Sequence, residues 1–176
     1  TVVYNQTEND ALTLDTVAGA TLTLDLNSAT AGGSITITDA DTVNLIGSVV
    51  NGDATALVLD DVDTTVLNLS VSGSTANQDL DTGAITGTDK LQTLTMTTAK
   101  HTGDLVVDTV VDGDSVTSLT ATGVGGDITT GALFATGTAE GLSTITLTAT
   151  EGSDISIGAV SADTTDASST DDNDLT

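Results

Sequence analysis

Aspartate is the residue type in this chain whose number and spacing could do chemistry. One group lies in two similar segments, ITDADT with Asp39 and Asp41, and LDDVDT with Asp60, Asp61 and Asp63. Aligned as successive repeats, they stack Asp39 on Asp61 and Asp41 on Asp63, with Asp60 beside them. A second group, Asp79, Asp104, Asp127 and Asp154, recurs at intervals of 23 to 27 residues, each just before an apolar residue. Like charges stacked at strand spacing repel unless something intervenes. Calcium is the expected cofactor at both groups, since it accepts six to eight oxygen ligands in irregular geometry. The competing reading is a hydrated corner, because aspartate after glycine, as in TGD, GGD and GSD, also suits a turn.

Other candidates are weaker. Asp112 and Asp114 in VDGDS form a third acidic loop that no neighbouring repeat duplicates, and Asp171, Asp172 and Asp174 belong to a solvated tail. His101 is the single histidine, so a histidine-based catalytic centre or zinc site lacks partners. With no cysteine there is no thiol nucleophile or disulfide framework, and no nucleophile elbow surrounds any serine. A lyase acting on acidic sugars needs cations to neutralise the carboxylate, and the chain has two lysines and no arginine. These absences point away from an enzyme.

The 26 acidic residues against Lys90 and Lys100 give a net charge of −24. Such a surface repels nucleic acid and anionic membranes and attracts cations. Among 176 residues Tyr4 and Phe134 are the only aromatics, so the core must be built from Leu, Val, Ile and Ala in thin layers. No apolar run is long enough to span a membrane, and without an initiator methionine or signal peptide the segment is expected to be processed or excised from something larger.

The elements that must position the aspartates are strands. In GLSTITLTATEGSDISIG, residues 141–158, apolar residues alternate with Thr and Ser at period two, pass a glycine-marked corner, and resume. The pattern repeats along the chain. Leu12, Ile35, Leu57, Leu80, Leu105, Ile128 and Ile155 form one series, and Leu22, Leu45, Leu67, Leu94, Leu119 and Ile145 a second. Five residues after each member of the first come Val17, Ala40, Val62, Ile85, Val110, Leu133 and Val160, all apolar. An odd offset on one straight strand would reverse the face, so the chain must turn between them. The expected fold is therefore all-β: a parallel β-solenoid of about seven coils, 22–27 residues per coil, with three short strand faces. The expected organisation is a strand-like arm at 1–11, the solenoid at 12–160, and an acidic flexible tail or linker at 161–176. Uncapped solenoid ends expose sheet edges, so end-to-end stacking or continuation into further repeats is expected.

At LQTLTMTTAKHTGDLVV, VTSLTATGVGGDIT and LSTITLTATEGSDISI the chain resembles the β-solenoid repeats of bacterial surface-layer proteins and related RTX-type secreted adhesins. The resemblance covers about Leu12 to Val160. It implies secretion to the cell surface, calcium binding, and a structural role in a self-assembling layer or filament. The implied partners are other copies of the chain and cell-surface polysaccharide. The RTX nonapeptide has one incomplete counterpart, GVGGD at 123–127, so its ligand positions are not carried over. The alternatives are an adhesin-type module for a glycan, a host surface or ice, and then a β-helix polysaccharide-degrading enzyme. For ice, the outward threonines of TLT, TMT and TIT are suitable, but the drift in coil length argues against a regular face.

Overall fold

A computed structural model describes residues 2–4, 11–26, 33–47, 52–53, 56–59, 63–72, 79–100, 103–134 and 142–160. They contain strands and no helix. In chain order the strands are β1 (Val2–Tyr4), β2 (Leu12–Leu26), β3 (Ile35–Gly47), β4 (Gly52–Asp53) and β5 (Ala56–Val58). Next come β6 (Val66–Val71), β7 (Leu80–Asp81), β8 (Ala84–Thr86), β9 (Thr93–Thr98) and β10 (Leu105–Val107). The last are β11 (Thr109–Val110), β12 (Ser118–Val124), β13 (Ile128–Thr130), β14 (Thr144–Thr150) and β15 (Ile155–Ser156).

Every pairing between these strands is parallel, and the chain winds as a β-solenoid of about five turns. The widest face stacks β1, β2, β3, β6, β9, β12 and β14, using the second halves of the long strands β2 and β3. A second face uses the first halves of β2 and β3, then β5, β8 and β11, and ends in bridges from Val110 to Leu133 and Leu133 to Val160. The third is the separate sheet β4, β7, β10, β13 and β15. The estimate of seven coils is close to the observed turn number, and seven is the count of strands on the widest face.

Val2–Tyr4 lies opposite Leu24–Leu26, so the start of the chain contributes a rung of its own. The acidic stretch 161–176 lies outside the described residues.

The periodicity found the right positions but joined two faces. Leu12, Ile35 and Leu57 do stack, yet Leu57 continues to Ile85 rather than Leu80. Leu80, Leu105, Ile128 and Ile155 form their own column on the third face, starting from Gly52. The turn from 57 to 85 is 28 residues long, five more than the repeat assumed. Because apolar positions stand five apart on either side of the corner, Leu80 masqueraded as the next rung. On the widest face Leu22 lies opposite Val43, and Leu24 opposite Leu45; from Leu67 through Leu94, Leu119 and Ile145 the expected column holds. Val17 was expected inside and is 73% exposed, in the irregular stretch of β2 where the register shifts and Gly19 takes φ 78°. Val62 lies outside the described residues.

The interior is aliphatic, as the composition requires. Leu24, Leu45, Leu67, Leu94 and Leu119 are all fully or almost fully buried, and so are Leu80, Leu105 and Ile128. Each buried side chain of this size contributes about 1.5–3 kcal/mol over leaving it in water. Phe134 is also buried, with positive φ, against Gly113, where any Cβ would stand 2.1 Å from the ring. At another corner the coils approach so closely that a Cβ on Gly131 would fall 1.7 Å from the Asp108 carbonyl oxygen.

The stack ends differently from its middle. Among the described residues β14 pairs on one side only, with β12, and all seven of its residues are exposed. Ile145 and Leu147 occupy inward positions opposite the buried Leu119 and Ala121, yet are 37% and 50% exposed.

Candidate functional site

The aspartate column that runs up the third face is real, and its geometry is specific. Asp79, Asp104, Asp127 and Asp154 each stand just before their strand, one above another. The amide of Asp104 donates to Oδ1 of Asp79 at 2.8 Å, that of Asp127 to Oδ1 of Asp104 at 2.9 Å, and that of Asp154 to Oδ1 of Asp127 at 2.8 Å. In the opposite direction, the carbonyls of Asp104, Asp127 and Asp154 accept from the amides of Leu80, Leu105 and Ile128 at 3.0, 2.9 and 3.0 Å. At this corner the side chain of one turn supplies the acceptor for the amide of the next. The chain needs a short acceptor at a bend, which is the local chemistry aspartate is selected for.

Charge-assisted amide bonds of this kind are stronger than neutral ones and offset part of the repulsion between stacked carboxylates. They engage Oδ1 of Asp79, Asp104 and Asp127 and leave Oδ2 of these residues out of the ladder. Ala11, Ser34 and Ala56 stand before Leu12, Ile35 and Leu57 as these aspartates stand before the later members of the same apolar series, but they precede or begin strands of the second face and do not belong to the column.

The other acidic group is arranged differently from expectation. Asp39 sits at φ 63° at the corner between the two halves of β3. Asp41 aligns with Thr65 rather than Asp63, since Thr42 lies opposite Val66. The Thr65 hydroxyl donates to Asp41 Oδ1 at 2.9 Å, the Thr42 hydroxyl to Oδ2 at 3.4 Å, and the Thr65 amide to the Asp41 carbonyl at 2.9 Å. One turn earlier, Thr38 donates to Asp15 Oδ1 at 3.2 Å. Threonine hydroxyls therefore take up carboxylates between turns at this edge. Asp60 and Asp61 lie outside the described residues, as does His101.

Among the described residues, no three His, Asp or Glu side chains form a group able to hold a metal ion. The described acidic side chains accept hydrogen bonds that join one turn to the next. One ion pair occurs among them, Lys100 to Glu151 at 3.1 Å, with both side chains about half exposed. A pair so exposed stabilises by at most about 1 kcal/mol.

Sequence reasoning overlooked the inward threonines. Thr64, Thr82, Thr88, Thr98, Thr130 and Ser153 are buried at corners. The Thr64 hydroxyl donates to the Ala40 carbonyl at 2.8 Å, that of Thr98 to Gly126 at 2.7 Å, and that of Thr88 to Asp112. Thr98 also accepts the amide of Val124 at 3.1 Å, and Thr130 that of Gly158 at 3.2 Å. No buried side-chain polar atom among the described residues lacks a partner. The available signal was the break in alternation, as in TMTT, where two threonines follow one another and the second must point inward.

Outward, the widest face carries a grid on its last three strands. Thr95, Thr120 and Thr146 form its central column, flanked by Thr93, Ser118 and Thr144 and by Thr97, Thr122 and Thr148. Two asparagines, Asn44 and Asn68, stack earlier on the same face, Asn68 Nδ2 donating to Asn44 Oδ1 at 2.8 Å. No family model matches the chain, and no curated protein or solved structure does either. No helix of the described residues is long and apolar enough to cross a membrane.

Proposed function

We propose that the chain is a non-enzymatic structural module of an extracellular bacterial surface layer or filament, and that it assembles by stacking its solenoid ends. The observation that carries this reading is the β14 end of the described stack. Among the described residues β14 is paired on one side only, and Ile145 and Leu147 are 37% and 50% exposed where Leu119, Leu94 and Leu67, and Ala121, Met96 and Leu69, of the same columns are buried. A parallel edge beside exposed aliphatic residues is a template for another strand. Joining that end of one copy to the β1 end of another is a head-to-tail contact, which propagates as an open fibre.

Calcium belongs to this reading as a counter-ion. Two molecules that each carry −24 repel one another, and the Oδ2 atoms outside the ladder provide an acidic stripe along the stacking direction. Divalent ions held there lower the repulsion without needing an enclosed site.

Sedimentation velocity in calcium and in EDTA tests the proposal. The chain should form larger species in millimolar calcium, return to monomer in EDTA, and remain monomeric in calcium as Leu147→Lys. Magnesium at equal concentration should replace most of the calcium effect if the ions act as counter-ions. Equal particle size in calcium, in EDTA and with Leu147→Lys would sink the assembly reading.

A further inference from the structure

We propose that the outward threonine grid on β9, β12 and β14 is an ice-binding surface, a function separate from end-to-end assembly. Coil length is the sequence objection to it, and the register removes that objection. Leu94 to Leu119 spans 25 residues and Leu119 to Ile145 spans 26, but the difference is absorbed outside the strands. From Ser118 to Thr122, each residue of β12 faces one residue of β9 and one of β14, without a bulge. Hydroxyls therefore recur at the strand separation of about 4.8 Å in one direction and at about 6.5–7 Å, two residues, in the other. A two-dimensional repeat of this kind matches a ligand that is itself a lattice.

Two further observations favour water over other lattices. In a chain with 26 acidic residues, β9, β12 and β14 contain none, nor any cation. Their sequences are TLTMTT, SLTATGV and TITLTAT. The hydroxyls also divide by position. Threonines at the corners, such as Thr65, Thr98 and Thr117, donate to backbone or carboxylate oxygens, whereas those of Thr95, Thr120 and Thr146 bond to no other described residue. Thr146 is exposed and Thr95 and Thr120 are half-buried on the outer side of the sheet, so the face offers water hydroxyls with no other described partner beside methyl groups that take no part in hydrogen bonding. A crystalline sugar would call for aromatic platforms, and this face has none.

The test is ice-crystal shaping and thermal hysteresis in a nanolitre osmometer, using the chain itself with Thr120→Lys and Thr95→Lys on the grid and Thr129→Lys on the third face as control. Circular dichroism melts verify that each variant is folded. Wild type and Thr129→Lys should shape ice and hold a hysteresis gap, and the two grid variants should lose both. Round, unshaped ice with the folded wild type overturns the proposal. So does full activity in folded Thr120→Lys and Thr95→Lys, or retention on crystalline cellulose or chitin without any effect on ice.

Discussion

A carboxylate that accepts an amide from the next turn does two things at once: it closes a corner and places charge upon charge. Substitutions at Asp104 separate these. Asp104→Ala removes the acceptor of the Asp127 amide, and the variant should lose about 0.5–1.5 kcal/mol in urea denaturation. Asp104→Asn keeps an acceptor oxygen and removes one charge, so at low salt its stability should equal or exceed that of wild type. Equal losses in both variants would show that charge, and not the amide bond, is what the column contributes. The residue types of the column were legible in TGD, GGD and GSD, and so was their role at a corner. Their hydrogen-bond partners were not, because the acceptor of Asp104 is named only once Leu80 is known to lie opposite Leu105. The neighbouring stack of Asp41 on Asp63 failed for the same reason. Two extra residues at that corner bring Thr65 into the place assigned to Asp63.

Strands and corners use threonine for opposite purposes, and the sequence writes both with the same letter. Thr97 faces solvent and the adjacent Thr98 is buried, holding the Gly126 carbonyl and the Val124 amide. Thr98→Val keeps the shape and leaves both groups without that partner, so it should cost about 1–3 kcal/mol in chemical denaturation. Thr97→Val, on the outer face, should change stability by less than about 0.5 kcal/mol. Period-two alternation revealed the strands and parallel stacking, because those follow from side-chain direction alone. Coil boundaries were harder to read. Leu80 and Ile85 are equally apolar and five residues apart on either side of a bend, so a repeat unit stretched to 28 residues transferred the series from one face to another.

At the scale of the molecule, an aliphatic stack carries a large negative charge, and its last described strand on the widest face, β14, is paired on one side among the described residues. The aliphatic composition and the charge were plain in the sequence; the open end became specific only when β14 proved to be paired on one side, with Leu147 half exposed opposite buried Ala121. Assembly through that end makes the edge strand the reporter. Amide hydrogen exchange, followed residue by residue before and after addition of calcium, reads it directly. The outward-directed amides of β14 should exchange fast in EDTA and gain protection as larger particles form, with β12, already paired on both sides, little changed. Particles that grow while the β14 amides stay unprotected would contradict it.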